Sequence, residues 1–430
     1  MIYLDHAATT KTAPEVVEAM LPYFTECYGN AGSIYKLGNE SRMAVIRAKE
    51  TIAGTLGAEA NEIYFTSGGT ESDNWALKAV YEAYRNKGRH IITSKVEHHA
   101  VLHTCEYLEK QGAEVTYLDV DGDGLVDVEQ LKRAVRPDTI LISIMYANNE
   151  IGTLQPVMEI GEIAAAHGIL FHTDAVQAYG QMPIDVAACH IDLLSASGHK
   201  FNGPKGVGFL YISKKAKIRS FMHGGQQERG RRAGTENVPG IVGLEAAVRR
   251  VYCSVEEAEC FCNLEEEKKE SYDFAEEKRR TEVCDNDVLE RKEKVQIMKC
   301  CRSLMEKNAE RERILRDYLI SQIEEKIPGA MLNGHRTKRL PGNVNFSFTG
   351  VEGESVLIML DMQGICASSG SACTSGSIDP SHVLLAIGRS PEEARSAIRL
   401  TLGAENTKEE MDIVVGELAR IVGKIRESRL

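Results

Sequence analysis

The sequence predicts an α/β fold that consists of a large, mostly parallel sheet domain and a smaller α+β domain. Between about residues 60 and 250, short β-rich runs alternate with helical patterns, as they do in parallel-sheet proteins. From Gly329 onward, an alternating strand pattern and longer amphipathic patterns replace this order. A stretch without glycine from Leu244 to Pro328 separates the two patterns, so two packed units are expected.

The strands of the large domain are predicted from five apolar, β-rich runs. These runs are residues 63–66, 90–93, 115–118, 139–144 and 207–212. Residues 71–87 and 157–167 lie between strands and have helical spacing, with a glycine soon after each end. Ligands of such sheets bind at the carboxyl ends of the strands, so the residues that follow each run are the candidate site.

The small domain is predicted from the C-terminal part of the chain. Residues 343–348 alternate like a half-buried strand, residues 356–362 read as a helix, residues 396–402 as a strand and residues 407–426 as a closing helix. We expect the first dozen residues to pack against this domain. The predicted division is a large domain at 15–250, a small domain made of 1–14 and 304–430, and an insert at 251–303.

The insert is dominated by Glu, Lys and Arg, and it holds six of the eleven cysteines, including Cys260, Cys262, Cys300 and Cys301. Thiolates bind soft metals, so a zinc or redox site is one interpretation. The segment between residues 253 and 303 has no histidine and no Cys-x-x-Cys pair, and this favours a solvated, charged helical arm.

Composition excludes several classes of function. The net charge of −12 and the pI near 5.6 argue against nucleic acid and anionic membranes as main partners. No apolar run is long enough to span a bilayer, and the first residues lack the basic and apolar regions of a signal peptide. An odd number of cysteines in a long chain without an export signal indicates free thiols in a reducing cytoplasm.

Two neighbouring strand ends predict a site for pyridoxal phosphate. Asp174 follows the apolar run 169–171, and Lys200 follows the run that ends at Ser195-Ala196-Ser197-Gly198-His199. A lysine amine forms a Schiff base with the cofactor aldehyde, while a carboxylate keeps the pyridine nitrogen protonated. The alternative is that Lys200 is a surface lysine in a loop.

Other loops supply matching chemistry. The turn Thr66-Ser67-Gly68-Gly69-Thr70 precedes a helix, where backbone amides can bind a phosphate. An imidazole from the pair at 98 and 99 can stack on a ring and move protons, and amides at 148 and 149 can orient a substrate. His99 and His103 have a helical metal-ligand spacing, but without a further ligand we do not expect a metal there. The acidic run 119–124 resembles a calcium loop but lacks its bidentate Glu, so we interpret it as a turn.

Two residues of the C-terminal part are chemically distinctive. Cys373 lies in a small, polar segment rich in Ser and Gly, which suits a nucleophile that must travel; the alternative is an incidental loop thiol. Cys366 lies in the preceding apolar run and is expected in the core. Arg399 interrupts an apolar strand, where a cation either clamps a carboxylate or forms a structural ion pair.

Together these motifs resemble the cysteine desulfurases of the NifS/IscS type, a branch of the class V aminotransferase-like pyridoxal phosphate enzymes. The likeness runs from Tyr3 to the last helix and excludes the insert. It rests on these stretches: 3–10 (YLDHAATT), 67–74 (SGGTESDN), 97–99 (EHH), 148–152 (NNEIG), 174–177 (DAVQ), 197–200 (SGHK), 232–235 (RAGT) and 368–375 (SSGSACTS). The fold implied is that of the aspartate aminotransferase-like, PLP-dependent transferases.

The resemblance assigns a role to each matching residue. Lys200 would carry the cofactor, Asp174 would pair with its ring nitrogen, His98 would stack on the ring and Gln177 would bond its phenolic oxygen. The phosphate would be held by Gly69, Thr70, Ser197 and His199, and by Thr235 of a second subunit, which implies a homodimer. Asn149 and Arg399 would hold the substrate carboxylate, and Asn149 also borders the cofactor.

The implied reaction converts L-cysteine to L-alanine and leaves the sulfur as a persulfide on Cys373. The long Ser/Gly loop resembles the group of the family with a far-reaching cysteine, and the sulfur would pass to an iron–sulfur scaffold or another acceptor protein. The alternatives are a selenocysteine lyase or an aminotransferase of the same fold, and a non-catalytic sulfur-relay scaffold. The intact Lys200, Asp174 and His98 argue against the scaffold.

Overall fold

The computed structural model describes residues 1–252, 286–369 and 379–428. The strands are β1 (Ile2–Tyr3), β2 (Ile63–Thr66), β3 (His90–Ser94), β4 (Glu114–Leu118), β5 (Thr139–Ser143), β6 (Leu170–Asp174), β7 (Leu193–Ser197), β8 (Gly208–Ile212), β9 (Ala330–Leu332), β10 (Asn343–Phe348), β11 (Ile365–Cys366) and β12 (Ala397–Thr401). The helices are α1 (Pro14–Met20), α2 (Pro22–Thr25), α3 (Lys36–Leu56), α4 (Gly69–Tyr84), α5 (His99–Glu109), α6 (Val128–Ala134), α7 (Val157–His167), α8 (Val238–Tyr252), α9 (Asn286–Lys326), α10 (Gly353–Asp361), α11 (His382–Ala386), α12 (Pro391–Arg395) and α13 (Lys408–Glu427).

The large sheet has seven strands in the order β2-β8-β7-β6-β5-β3-β4. Strand β8 runs antiparallel to both of its neighbours, and every other pairing is parallel. Strands β5 to β8 are buried along their whole length, as expected for a sheet that helices cover on both faces. The predicted α/β fold with a mostly parallel sheet is confirmed, and the predicted strand ends shift by about one residue.

The small sheet is antiparallel, in the order β12-β10-β9. Its apolar residues, including Val344 and Phe346, form one core with α9, α10 and α13. The expectation that 343–348 is half-buried is wrong, because all six residues of β10 are buried. The polar residues Asn343 and Asn345 donate side-chain hydrogen bonds to the Glu150 carbonyl of the large domain rather than to water.

The N-terminal residues bind the small domain. Strand β1 pairs in parallel with β11, and Leu4 is buried in the small-domain core. The predicted insert lies mostly outside the described residues, but α9 starts at Asn286, inside its predicted bounds. Helix α9 continues to Lys326 and joins the small-domain core, so one helix links the end of the charged segment to the fold. The division at 251–303 stays a prediction.

Within residues 1–252, 286–369 and 379–428, we found no helix that is both long and apolar enough to cross a membrane.

Candidate active site

The candidate site lies at the carboxyl-end edge of the large sheet. Strand β6 ends at Asp174, and β7 leads through Ser197 into a single 3₁₀ turn, Gly198–Lys200. Strand β3 is followed by His98, the N-cap residue of α5, and β2 leads into the glycine turn before α4. The parallel course of these strands therefore brings four chain-distant segments to one edge.

Lys200 points its amine at the N-terminal segment. Its Nζ donates hydrogen bonds to the carbonyls of Ala7 at 2.6 Å and Ala8 at 2.8 Å. The Gln177 amide donates to the same Ala7 carbonyl at 3.0 Å. Lys200 is only half-buried, so its amine is held at the site and remains reachable by a ligand. The structure excludes the alternative of a lysine in a solvent-exposed loop.

Asp174 is buried at the base of the site. Its Oδ1 accepts a hydrogen bond from the Val176 amide at 2.9 Å. Burial raises the pKa of the Asp174 carboxyl to about 6, although the Val176 amide and the Lys200 ammonium act in the opposite direction. A carboxyl in this setting gains greatly from a cationic partner, and a protonated ring nitrogen is such a partner.

His98 lies beside the Asp174 carboxylate and is influenced by the charge of Lys200. Its Nδ1 accepts a hydrogen bond from the Ala100 amide at 3.1 Å, which fixes the ring at the start of α5. Burial, followed by the charge of Lys200, lowers the pKa of His98 to about 4. The imidazole is therefore neutral at physiological pH and can lie flat against an aromatic ring.

A cradle of small residues lies next to Lys200. It is a cavity of about 360 Å³ lined by Thr9, Ser67, Gly68, Gly69, Thr70, Glu71, Ser197, His199, Lys205 and Gly206. Gly68 has a φ of +146°, a conformation that favours glycine. A Cβ at Gly208 on the neighbouring strand would come within 2.8 Å of the Gly68 Cα, so the turn packs directly on β8.

The cradle is suited to an anion. Helix α4 begins at Gly69, so its free amides and the positive end of its dipole face the cavity. Lys205 adds a cation, and His199 holds its Nδ1 3.1 Å from the Thr9 hydroxyl. Glu71 is not free to repel the anion, because its carboxylate accepts hydrogen bonds from Arg232 and from the Ser67 amide, each at 2.8 Å.

Arg399 is almost fully buried on β12 and faces the site from the small domain. Its guanidinium donates to the Asp5 carboxylate and to the Asn149 carbonyl, each at 2.9 Å. The backbone of Arg399 pairs with Ser368, two residues before the segment that carries Cys373. The ion pair with Asp5 is the structural ion pair that was one of the two predicted alternatives for Arg399. The contact with Asn149 keeps Arg399 beside the other residue predicted to bind the substrate carboxylate.

One predicted site residue among those described, Thr235, does not reach the cavity of its own chain. Thr235 is exposed and does not line the cradle, although its neighbour Arg232 reaches Glu71. Cys373 lies outside the described residues. Cys366 was expected in the core but is half-buried, because its strand β11 has only two residues and pairs with the N-terminal β1 at Tyr3.

Two buried acidic residues of the site, Asp73 and Glu97, were given no role by the sequence analysis. Asp73 is fully buried on α4, and one of its carboxylate oxygens lies within 4.8 Å of ligand atoms of both Asp174 and His98. Burial and the charge of Asp174 raise the pKa of Asp73 well above its ordinary value. Burial raises the pKa of the nearby Glu97 to about 8. The sequence offered one signal for Asp73, namely an acidic residue two positions before Trp75 on the apolar face of a helix.

The side chains of Asp121, in the acidic turn, and of Asn148 accept hydrogen bonds from nearby backbone amides. The Asp121 carboxylate accepts hydrogen bonds from the amides of Asp123 and Leu125, both at 2.9 Å. Asn148 caps its own turn by accepting from the amides of Glu150 at 2.9 Å and Ile151 at 3.0 Å. The prediction of a turn rather than a calcium loop agrees with this geometry.

Comparison with known proteins gives one family. The family model of the aminotransferase class-V proteins matches residues 2–291 and 293–414. A curated relative from Methanosarcina thermophila, "Cysteine desulfurase IscS", is 52% identical over 425 residues, covering 99% of this chain and 93% of that protein.

Solved structures agree with the sequence relatives. A "NIFS-LIKE PROTEIN" superimposes with a TM-score of 0.81 at 35% identity, covering 98% of this chain and 99% of the other. A structure described as "SspA in complex with cysteine" superimposes with a TM-score of 0.74 at 33% identity, covering 95% of this chain and all of the other.

Proposed function

The chain belongs to the aminotransferase class-V family and is a cysteine desulfurase, and from this premise we propose that Lys200, Asp174, His98 and Cys373 carry its reaction at the edge of the large sheet. It converts L-cysteine to L-alanine and passes the sulfur on. The observation that carries the assignment is the convergence of the Lys200 amine, the Asp174 carboxylate and the neutral His98 ring beside one anion cradle.

The residues present fit pyridoxal 5'-phosphate. The cradle formed by Gly68, Gly69, Thr70, Ser197 and His199 offers a phosphate backbone amides, hydroxyls and an imidazole in a cavity of about 360 Å³. Asp174 suits a protonated ring nitrogen, His98 suits the ring face and Gln177 suits the phenolic oxygen. When bound, the cofactor supplies an aldehyde for the lysine amine and a ring that accepts electrons from the substrate.

Lys200 moves the proton. Lys200 would hold the cofactor and, when its amine is released, would serve as the base that takes the α-proton of the substrate. The carbonyls of Ala7 and Ala8 accept hydrogen bonds from this amine and keep it oriented. His98 is neutral, so it adds no positive charge that would oppose an ammonium at Lys200.

Arg399 and Asn149 orient the substrate. A guanidinium binds a carboxylate with two parallel hydrogen bonds, and Arg399 is held next to Asn149 by the Asp5 carboxylate and the Asn149 carbonyl. Because Asp5 already neutralises part of the charge, the arginine is stable in its buried position without substrate.

Cys373 takes the sulfur. Its thiolate attacks the substrate sulfur; the new S–S bond forms as the C–S bond breaks, and the electron pair of that bond stays with carbon. Protonation of this carbon, and return of the α-proton from Lys200 to the α-carbon, would yield L-alanine; the sulfur remains as a persulfide, so no external oxidant or reductant is needed. The segment 370–378 is held at one end by the pairing of Ser368 with Arg399.

The partners belong to the same proposal. Four large apolar side chains, Phe24, Tyr28, Ile34 and Tyr35, are exposed near the N-terminus, which supports a homodimer that covers them and brings Thr235 to the partner's cradle. The persulfide passes to an iron–sulfur scaffold or another acceptor protein. The free thiols among the described residues support a cytoplasmic setting.

The test is the product count of the purified holoenzyme given L-cysteine and a reductant. We expect equal alanine and sulfide from the wild type. Cys373→Ser should lose alanine production while the cofactor absorbance is kept, and Cys366→Ser, a half-buried thiol seven residues earlier, is the matched control. Normal turnover in Cys373→Ser would refute the assignment of the nucleophile.

Two rival reactions are separated in the same assay. A selenocysteine lyase would release alanine from L-selenocysteine at a far higher kcat/KM than from L-cysteine. An aminotransferase would need a keto acid and would be insensitive to Cys373→Ser.

A further inference from the structure

Three imidazoles form a cluster outside the catalytic groups. His99 and His103 lie one turn apart on α5, and His382 is the first residue of α11. The ring centroid of His99 is 4.9 Å from that of His103 and 4.7 Å from that of His382. The sequence argued against a metal here because it lacked a further ligand, and the fold supplies one from the other end of the chain.

His382 has the hydrogen bond that metal-binding histidines typically make. Its Nε2 lies 3.0 Å from the backbone carbonyl of Glu97, an acceptor, so the proton resides on Nε2. The Nδ1 lone pair is then available to another partner. A ring whose second nitrogen donates to a carbonyl is oriented, and made more basic, as a ligand.

His99 has an unsatisfied nitrogen. Among the described residues, nothing forms a hydrogen bond with its buried Nδ1. A buried polar atom of this kind calls for a water molecule or an ion as its partner.

The surroundings favour a cation. Two acidic residues lie near these histidines in the fold: Glu106 follows His103 by three residues on α5, and Glu150 is hydrogen-bonded to Ser381, the residue before His382. Glu150 accepts a 2.5 Å hydrogen bond from Ser381, which keeps it next to the cluster. His103 is exposed, so an ion can reach the cluster from solvent.

We propose that His99, His103 and His382 bind a divalent transition-metal ion, with Zn²⁺ as the ion that three neutral imidazoles suit. Histidines four apart lie on one face of a helix and chelate together. The rings of His99 and His103 now stack, and the ring of His382 is tilted by 49° to that of His99. Rotation of the exposed His103 side chain brings its nitrogen towards the other two, to Zn–N bonds of about 2.0–2.1 Å. Water or Glu106 completes the coordination.

This site is distinct from the catalytic groups. In residues 1–252, 286–369 and 379–428, the one acidic and histidine trio whose ligand atoms already lie within 4.8 Å of one another is Asp73, His98 and Asp174, which surrounds the cofactor position. The proposed ion would instead join α5 to α11. His382 lies four residues after the segment 370–378, so the ion would fix the point where that segment rejoins the fold.

The experiment is a calorimetric Zn²⁺ titration of the holoenzyme at pH 7.5. All thiols are first alkylated with N-ethylmaleimide, because cysteine thiolates also bind zinc. We expect one site in the wild type, at least tenfold weaker binding in His103→Gln and in His382→Gln, and unchanged binding in His167→Gln. His167 is the matched control, an exposed histidine at the end of α7.

Three results of these measurements would overturn the proposed zinc site. Absence of a site in the alkylated wild type, or unchanged affinity in His103→Gln, overturns the proposal. Loss of the cofactor absorbance on addition of Zn²⁺ also overturns it, since the ion would then occupy the catalytic groups. His103 is exposed, so its variant gives the answer even where His382→Gln misfolds.

Discussion

Replacement of Asp174 by Asn should stabilise the apoprotein against unfolding while it removes the desulfurase activity. The carboxylate is buried, and its pKa of about 6 lies above the ordinary value of 3.8. At about 1.4 kcal/mol for each tenfold change in proton affinity, the ionised form costs the folded apoprotein about 3 kcal/mol relative to the protonated form. The amide of Asn is neutral and keeps an oxygen for the Val176 amide, so this cost disappears.

The sign of the pH dependence follows from the raised pKa. In the wild type, the favourable contribution of protonated Asp174 is complete below the pKa of the unfolded chain, near 4, and is lost as the pH rises through about 6. We therefore expect apo Asp174→Asn to be more stable than the apo wild type by about 3 kcal/mol at pH 8. The difference should shrink through pH 6 and vanish below pH 4.

The assay is guanidinium unfolding of both apoproteins between pH 4 and 8, with equal m-values required for the comparison. Asp361→Asn, an exposed position at the last residue of α10, controls for the substitution itself. The holo form of Asp174→Asn should lose desulfurase activity. A variant that is equally stable or less stable at pH 8 would refute the argument that Asp174 is held ionised at a cost to folding.

The other predictions concern the lysine, the arginine and the insert. Lys200→Ala should lose the visible absorbance of the bound cofactor while far-UV circular dichroism stays unchanged; a retained band would show that another amine holds the cofactor. Arg399→Lys should raise the KM for L-cysteine at least tenfold, because one ammonium cannot hold Asp5 and a carboxylate in the geometry of a guanidinium; an unchanged KM would leave the arginine a structural role only. Deletion of 253–303 should leave turnover near normal, because Tyr252 and Met305 on either side are buried in one hydrophobic cluster. Loss of the fold in circular dichroism, or loss of turnover, would show that the insert contributes to folding or catalysis.

The parts of the fold that the sequence predicts are those governed by local pattern. Residues 157–167 read as a helix because their apolar spacing and the following Gly168 act within a few residues, and α7 has those bounds. Strand ends that carry Asp174 and Lys200 are likewise readable, because parallel strands align their carboxyl ends.

The parts that escape prediction depend on contacts between distant segments. The alternation in β10 is real, but its polar side meets the Glu150 carbonyl instead of solvent. The third histidine of the cluster reaches His99 only through the packing of α11 on the large domain, where Val383 and Leu384 contact the cluster that holds Val96. Neither fact leaves a local trace in the sequence.

The first ten residues have a consequence for how the enzyme is made. The Ala7 carbonyl accepts hydrogen bonds from Lys200 and Gln177. Strand β1 pairs with β11, and the Ala7 amide donates to the Thr401 hydroxyl. On the ribosome, this segment leaves the tunnel well before residues 365 to 401, with which it pairs. At about 5–20 residues per second, that delay is on the order of 20 to 80 seconds. A nascent chain that has not reached residue 401 therefore lacks a finished catalytic centre.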